Sequence, residues 1–191
     1  MEKVDIKANK RAETGNVAAT ACRNNGMVPG VIYGGNEVIH FETDSVNFRH
    51  VIYTPDFKIL NLEIDGKNYK CILKSTQFHP ISEKLEHVDL LELVNGKDFK
   101  CEIPLKFKGV SPGVKVGGKF TQKLRTISVK TKPEKLVGTL VADISKMELG
   151  GTLRVRDIQA QDGVVITNSP AIPVASIEIP RALRGQVTAE K

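Results

Sequence analysis

The chain has 191 residues, 40% of them hydrophobic, which excludes wholesale disorder and suits one large domain or two small ones. Its net charge of +6 and sequence pI near 9.2 favour a polyanionic partner over a neutral one. Cys22, Cys71 and Cys101 lie far apart with no CxxC pair, so zinc-ribbon and thioredoxin readings have no support, and buried thiols in a reducing compartment are expected.

Val4, Ile6 and Ala8 alternate with charged residues, the period-two pattern of a half-buried strand. Asn16 to Arg23 reads as a short helix that Gly26 is placed to end. The stretch VPGVIYGGNEVIHFE then predicts two strands joined at Gly34-Gly35-Asn36. Thr43-Asp44-Ser45 offers a helix cap, and VNFRHVIY has helical spacing before Pro55 forbids continuation. FKILNLEI and NYKCILK flank Asp65-Gly66, a strong hairpin signal. Leu60, Leu62 and Ile64 share one face of the first of these strands, and Tyr69, Cys71 and Leu73 one face of the second. HVDLLEL closes this half as a further strand.

Past Asn95-Gly96 the pieces FKCEIPLKFKG, KLRTISVKT, KLVGTLVAD and IPVASIEIP are strand-like and punctuated by Gly and Pro, which predicts a second, all-β domain. The fold class expected is therefore mainly β, with two short helices in the first half. The domain division expected is 1–94, 95–180 and a loosely held tail, 181–191. The start of the chain has no apolar stretch of signal-peptide length, and no run of about 18 apolar residues occurs, so a cytoplasmic protein is expected. Charge is divided unevenly: residues 1–95 hold 11 Lys/Arg against 13 Asp/Glu, and residues 96–191 hold 17 against 9. Most of the basic excess lies between Lys97 and Lys135.

Three sets of residues invite a chemical reading. Gly113-x4-Gly118-Lys119 has the spacing of a phosphate-binding P-loop, but Phe120 stands where Ser or Thr should ligate magnesium, and TQKLRTISVK reads as strand rather than helix. A glycine-rich β-turn accounts for it better. His79, His87 and Asp89 suggest a catalytic or metal site, yet no nucleophile motif and no metal-ligand spacing accompany them. Lys10, Arg11, Arg23 and Tyr33 form a scattered polar set that fits either solvated charge or contact with phosphates and base edges.

Arg23-Asn-Asn-Gly-Met-Val-Pro-Gly-Val-Ile-Tyr-Gly-Gly35, Lys74-Ser-Thr-Gln-Phe-His-Pro80 and His87-Val-Asp-Leu90 resemble, in order, the signatures of one family. That family is the bacterial large-subunit ribosomal protein L-twenty-five. Pro104-Leu-Lys-Phe-Lys-Gly109 and Gly113-Val-Lys-Val-Gly-Gly118 resemble its long form, the general stress protein CTC group. The resemblance implies an N-terminal small β-barrel that binds the loop E region of 5S rRNA and a C-terminal β domain. It implies a ribosome-associated, non-enzymatic protein that needs no metal, cofactor, membrane or small-molecule substrate. It places Arg11, Arg23, Tyr33, Lys74, Gln77, His79, His87 and Asp89 on the RNA face, with Lys10 adjoining.

The chain departs from the family in its first helix, where Ala19, Thr20 and Ala21 stand in place of Ser and Arg. Fewer phosphate contacts imply weaker and less salt-sensitive binding. The basic 97–135 segment fits either of two readings, compensation by meeting other large-subunit rRNA or proteins, or an ordinary solvated lysine surface. The rival readings are a stress-induced RNA-binding or regulatory protein of the same fold, and a hydrolase with His87 and Asp89 in a concave pocket.

Overall fold

The structure, a computed structural model, describes residues 2–159 and 162–180; the expected tail, 181–191, lies outside the described residues. The chain divides into two compact units. The first runs to Phe99 and takes in Lys132–Glu134, while the second comprises Lys100–Thr131 and resumes at Lys135.

In the first unit β1 (Lys3–Lys10), β2 (Met27–Tyr33), β3 (Ile39–Asp44), β4 (Ile59–Ile64), β5 (Lys67–Phe78) and β6 (Leu85–Glu92) close into a barrel in the order β1-β3-β2-β6-β5-β4. The β1–β4 and β2–β6 pairs are parallel and the others antiparallel. The expected small barrel is the one observed. Its core is Ile6, Val28, Ile32, Phe41, Leu60, Leu62, Val88 and Leu90, each within a few per cent of complete burial. The hairpin at Asp65-Gly66 has φ of 49° and 76° at its two central residues. Those are the two positive values that a tight turn matching strand twist requires. It sets the register in which Ile64 faces Lys67 and Leu60 faces Cys71.

Helix α1 (Asn16–Asn24) buries a single side chain, Cys22, and is ended by Gly26 at φ +79°. After β3 the Asp44 carboxylate accepts from the Val46 N–H at 3.0 Å, the cap expected there. The helix it starts is shorter than VNFRHVIY suggested: a 3-10 turn, Ser45–Phe48, and one α turn, α2 (Arg49–Ile52). Phe48 and Val51 fill the barrel end, which satisfies the apolar residues without a longer helix.

The second unit carries β7 (Phe99–Lys108), α3 (Pro112–Lys115), β8 (Lys119–Gln122), β9 (Thr126–Thr131), β10 (Leu140–Asp143), β11 (Thr152–Arg154), β12 (Val164–Ile166) and β13 (Pro173–Glu178). They form a four-stranded sheet, β10-β7-β9-β12, and a three-stranded one, β11-β13-β8. Two expectations need correction. TQKLRTISVK is not one strand, because β8 ends at Gln122 and the Gln122 side chain donates to the Leu124 carbonyl, turning the chain before β9. The glycine-rich stretch is not a β-turn but opens as α3. Ser111 accepts from the Gly113 N–H and donates to the Met147 carbonyl, and Pro112 occupies the first turn. A strand, β8, begins at Lys119 where a P-loop would need a helix.

Gly30 faces Phe41 across β2 and β3. A Cβ at Gly30 would stand 2.8 and 2.9 Å from Cε1 and Cε2 of the fully buried Phe41 ring. Gly30→Ala is therefore expected to destabilise the barrel by about 1–3 kcal/mol, measured by urea unfolding. Adding Phe41→Leu should recover part of that loss; a double variant no better than Gly30→Ala would mean the ring is not the obstacle.

Candidate nucleic-acid interface

The barrel wall assembles the candidate residues through strand register. Val88 and Leu90 of β6 are fully buried, so His87, Asp89 and Leu91 face outward. On one side β2 sets Val31 beside Asp89 and Tyr33 beside Leu91. On the other, Leu73 of β5 opposes Leu90 and Ser75 opposes Asp89, leaving Lys74 as an extra residue in a β-bulge. The bulge reverses the alternation. Without it Gln77 would share the inward face of Leu73; with it Gln77 lies beside His87 on the outside.

The result is a continuous polar band. One row runs Ser75–Asp89–Val31–His40 across four strands; Gln77–His87 lies on one side of it and Leu91–Tyr33 on the other. Tyr33, Gln77, His87 and Asp89 of the sequence-derived set are thus brought together. The His87 Nδ1 lies 2.9 Å from Asp89 Oδ1, with both side chains about 30% exposed. This contact fixes the imidazole so that Nε2 points away from the carboxylate and is left for a partner. Burial, and to a lesser degree the Asp89 charge, push the Tyr33 phenol above its ordinary pKa, which keeps the hydroxyl a donor across the physiological range.

The other candidates are placed differently. Arg11 follows β1, its backbone N–H donating to the His40 carbonyl at 2.9 Å, and its guanidinium Nη2 is shut off from solvent without a hydrogen-bond partner. The Cys22 thiol sits nearby, raised above its usual pKa by burial and by donating to Glu42, while Arg11 and Arg23 act in the opposite direction. Arg11, Arg23, Glu42 and Cys22 therefore form a knot between α1 and β3. Arg23 Nε donates to the Glu86 carbonyl at 3.1 Å, where β5–β6 pairing slips between Gln77 and Phe78 and Glu86 has no partner across the strands. His79 Nδ1 accepts from the backbone N–H groups of Ile81 and Ser82, at 3.3 and 3.1 Å, and so holds the loop before β6. Lys74 is exposed at the bulge. Lys10 has the inward parity of Ile6 and Ala8 and runs off the barrel end, apart from the band.

Three residues of the band were not found from sequence. His40 joins its central row, Ser75 faces Asp89, and Glu42 of β3 faces Pro29 and Asn9. The alternation His40-Phe41-Glu42 was the available signal, since a buried Phe between two polar residues marks an outward pair. His87 and Asp89 lie on the convex exterior of a closed barrel, not in the concave pocket that a hydrolase reading needs. Among the described residues no group of three His, Cys, Asp or Glu could hold a metal, and no helix is long and apolar enough to cross a membrane.

In the second unit Lys106 and Lys108 project from β7, Lys115 from α3 and Lys119 from β8, all exposed. Lys108 lies beside Asp143. The Asp143 carboxyl is held below its usual range by its hydrogen bonds with Ser145, with Lys146 and Lys108 assisting.

The profile of the Ribosomal L25p family matches residues 6–90, and that of the ribosomal protein TL5 C-terminal domain matches residues 98–181. The chain is 41% identical over 189 residues to the large ribosomal subunit protein bL25 of Cytophaga hutchinsonii, covering 99% of this chain and 98% of that one. It is 38% identical to the protein of the same name from Amoebophilus asiaticus, with 96% and 93% covered, and 33% to that from Porphyromonas gingivalis, with 97% of each covered.

Asp89→Asn is expected to lower the Tyr33 pKa without returning it to its ordinary value, because burial, the larger cause, remains. Tyrosinate absorbance against pH, differenced against Tyr33→Phe, measures this; an unchanged curve would show that the two side chains do not interact.

Proposed function

The chain belongs to the ribosomal L25p family, and from that footing we propose that it is a structural component of the large ribosomal subunit that binds 5S rRNA, in the loop E region, through residues 1–94. The observation that carries the reading is the outward band in which the Lys74 bulge sets Gln77 beside His87 and Asp89. The band is mixed in character: one aromatic hydroxyl, one amide, imidazoles and carboxylates. Such a surface suits the wide, shallow minor groove of RNA, where 2′-hydroxyls and base edges are presented. Carboxylates such as Asp89 repel phosphates, so they fit where base amino groups or sugar hydroxyls donate to them.

Mechanism here means binding, with no bond made or broken. The His87 Nε2 and the Tyr33 hydroxyl meet sugar or base edges, Gln77 reads an edge through its amide, and Asp89 both orients His87 and accepts. Arg11 and Arg23 hold α1 against β3 and β6, and the outer nitrogens of Arg23 and the exposed Lys74 side chain meet phosphates. The basic residues of the second domain, 95–180, meet further rRNA or protein in the subunit.

The test is binding of the purified full chain to 5S rRNA and to an unrelated RNA of equal length across a salt series. Selective binding is expected, with Tyr33→Ala and His87→Ala each weakening it by about tenfold, or about 1.4 kcal/mol. Equal binding to both RNAs, unmoved by either substitution, would overturn the reading. Changing Lys106, Lys108, Lys115 and Lys119 together to Ala should lower recovery with large subunits and leave 5S selectivity intact. Undiminished recovery would remove the second domain's part in the proposal.

A further inference from the structure

Beside the outward band lies a cleft of about 960 Å³, walled by the end of α1, by the 3-10 turn and α2, and by the loop from His79 to Glu86. Its volume falls in the range of small-molecule sites. The apolar lining residue Phe48 is already fully buried, but Tyr53 is 70% exposed. Tyr53 follows Arg49 by four residues, its N–H donating to the Arg49 carbonyl, so ring and guanidinium leave the same side of one helical turn. Lys84 and Arg23 stand among the other walls, with Glu83 and Glu86 between them.

The wall opposite α2 is held in one shape. The His79 ring takes two backbone N–H groups of the loop, the His79 N–H donates to the Lys84 carbonyl at 2.9 Å, and Glu83 is held at φ +53°. A left-handed non-glycine residue persists only where its surroundings fix it, so the cleft is preformed.

We propose that this cleft takes one unstacked nucleotide of the RNA bound on the adjoining barrel face, its base against Tyr53 and its phosphate between Arg49 and Lys84. The inference rests on the RNA-binding reading above and extends it to residues outside the band. Two observations select a nucleotide over an apolar peptide. The exposed lining sets the Tyr53 ring beside the cations Arg49 and Lys84, with Val46 its one exposed aliphatic side chain, and an aromatic face next to cations is the pairing by which splayed RNA bases and their phosphates are held. The cleft is also continuous with the band, since Glu86 precedes His87 in β6 and its carbonyl receives Arg23.

The experiment uses the full chain and a 5S rRNA transcript, with affinity measured by filter binding and nucleotide reactivity by chemical probing of the RNA. Tyr53→Ala and Arg49→Gln should each weaken binding at least about fivefold, and Tyr53→Phe should not, because it keeps the stacking face. Probing should show one nucleotide whose reactivity changes with the wild-type chain and reverts with Tyr53→Ala. If Tyr53→Ala and Arg49→Gln bind as wild type while His87→Ala is impaired, the cleft proposal falls and the RNA reading stands. If the wild-type chain does not select 5S rRNA, both fall. Unchanged RNA affinity with reduced recovery in large subunits for Tyr53→Ala would assign the cleft to a neighbouring protein and overturn the proposal.

Discussion

A sheet that closes on itself has no free edge, and each of its side chains must point either into the barrel or out of it. For six strands this is a severe constraint, because a slip of one residue in any strand moves its whole set of side chains to the other face. The interior here tolerates none, being filled by Ile32, Phe41, Leu60, Leu62, Val88 and Leu90 with no exposure at all beyond two per cent. One extra residue, Lys74, is admitted where β5 extends past the part of the barrel that β4 covers. From that point Ser75 and Gln77 turn outward, and the polar band exists because they do.

The same constraint explains how far the sequence could be read. Alternation in Leu60-x-Leu62-x-Ile64 and the Asp65-Gly66 turn are local and strong, so strands, hairpin and inner face were legible. The barrel's closure was not readable from periodicity and came from the resemblance carried by the Arg23–Gly35 and Lys74–Pro80 motifs. The bulge could not be seen, because LKSTQF shows no glycine or proline and its irregularity appears only against β6. Alternation therefore places neither Ser75 nor Gln77 outward, and only the resemblance points to Gln77. In the second unit the short strands β11 and β12, three residues each, hold too few alternations to stand out from the turns around them.

Several polar residues that the motifs single out as ligand contacts are engaged in holding the protein together. Arg23 donates to a carbonyl at the β5–β6 slip, His79 braces a loop, and the Arg11 charge acts on the Cys22 thiol that donates to Glu42. Helix α1 buries only Cys22, so hydrophobic packing gives it little purchase on the barrel. Charge-assisted hydrogen bonds to fixed carbonyls and carboxylates supply what the apolar contact lacks. A motif residue can thus be required for RNA recognition without touching RNA, by fixing the surface that does.

Under the RNA-binding role proposed for the barrel, this division bears on how a domain with more acidic than basic residues would recognise a polyanion. Binding that depends on counting phosphates would suffer from 13 carboxylates against 11 cations in residues 1–95. Binding through a preformed band of donors and acceptors depends instead on fit: carboxylates at Asp89 and Glu42 are tolerated only where RNA offers amino or hydroxyl groups, and are repelled elsewhere. Misplaced acids penalise wrong sites more than they weaken the right one, so the modest charge of the barrel favours selectivity over affinity. The surplus of cations in the second unit can then raise affinity without blurring that choice, provided that it acts on RNA the barrel does not read.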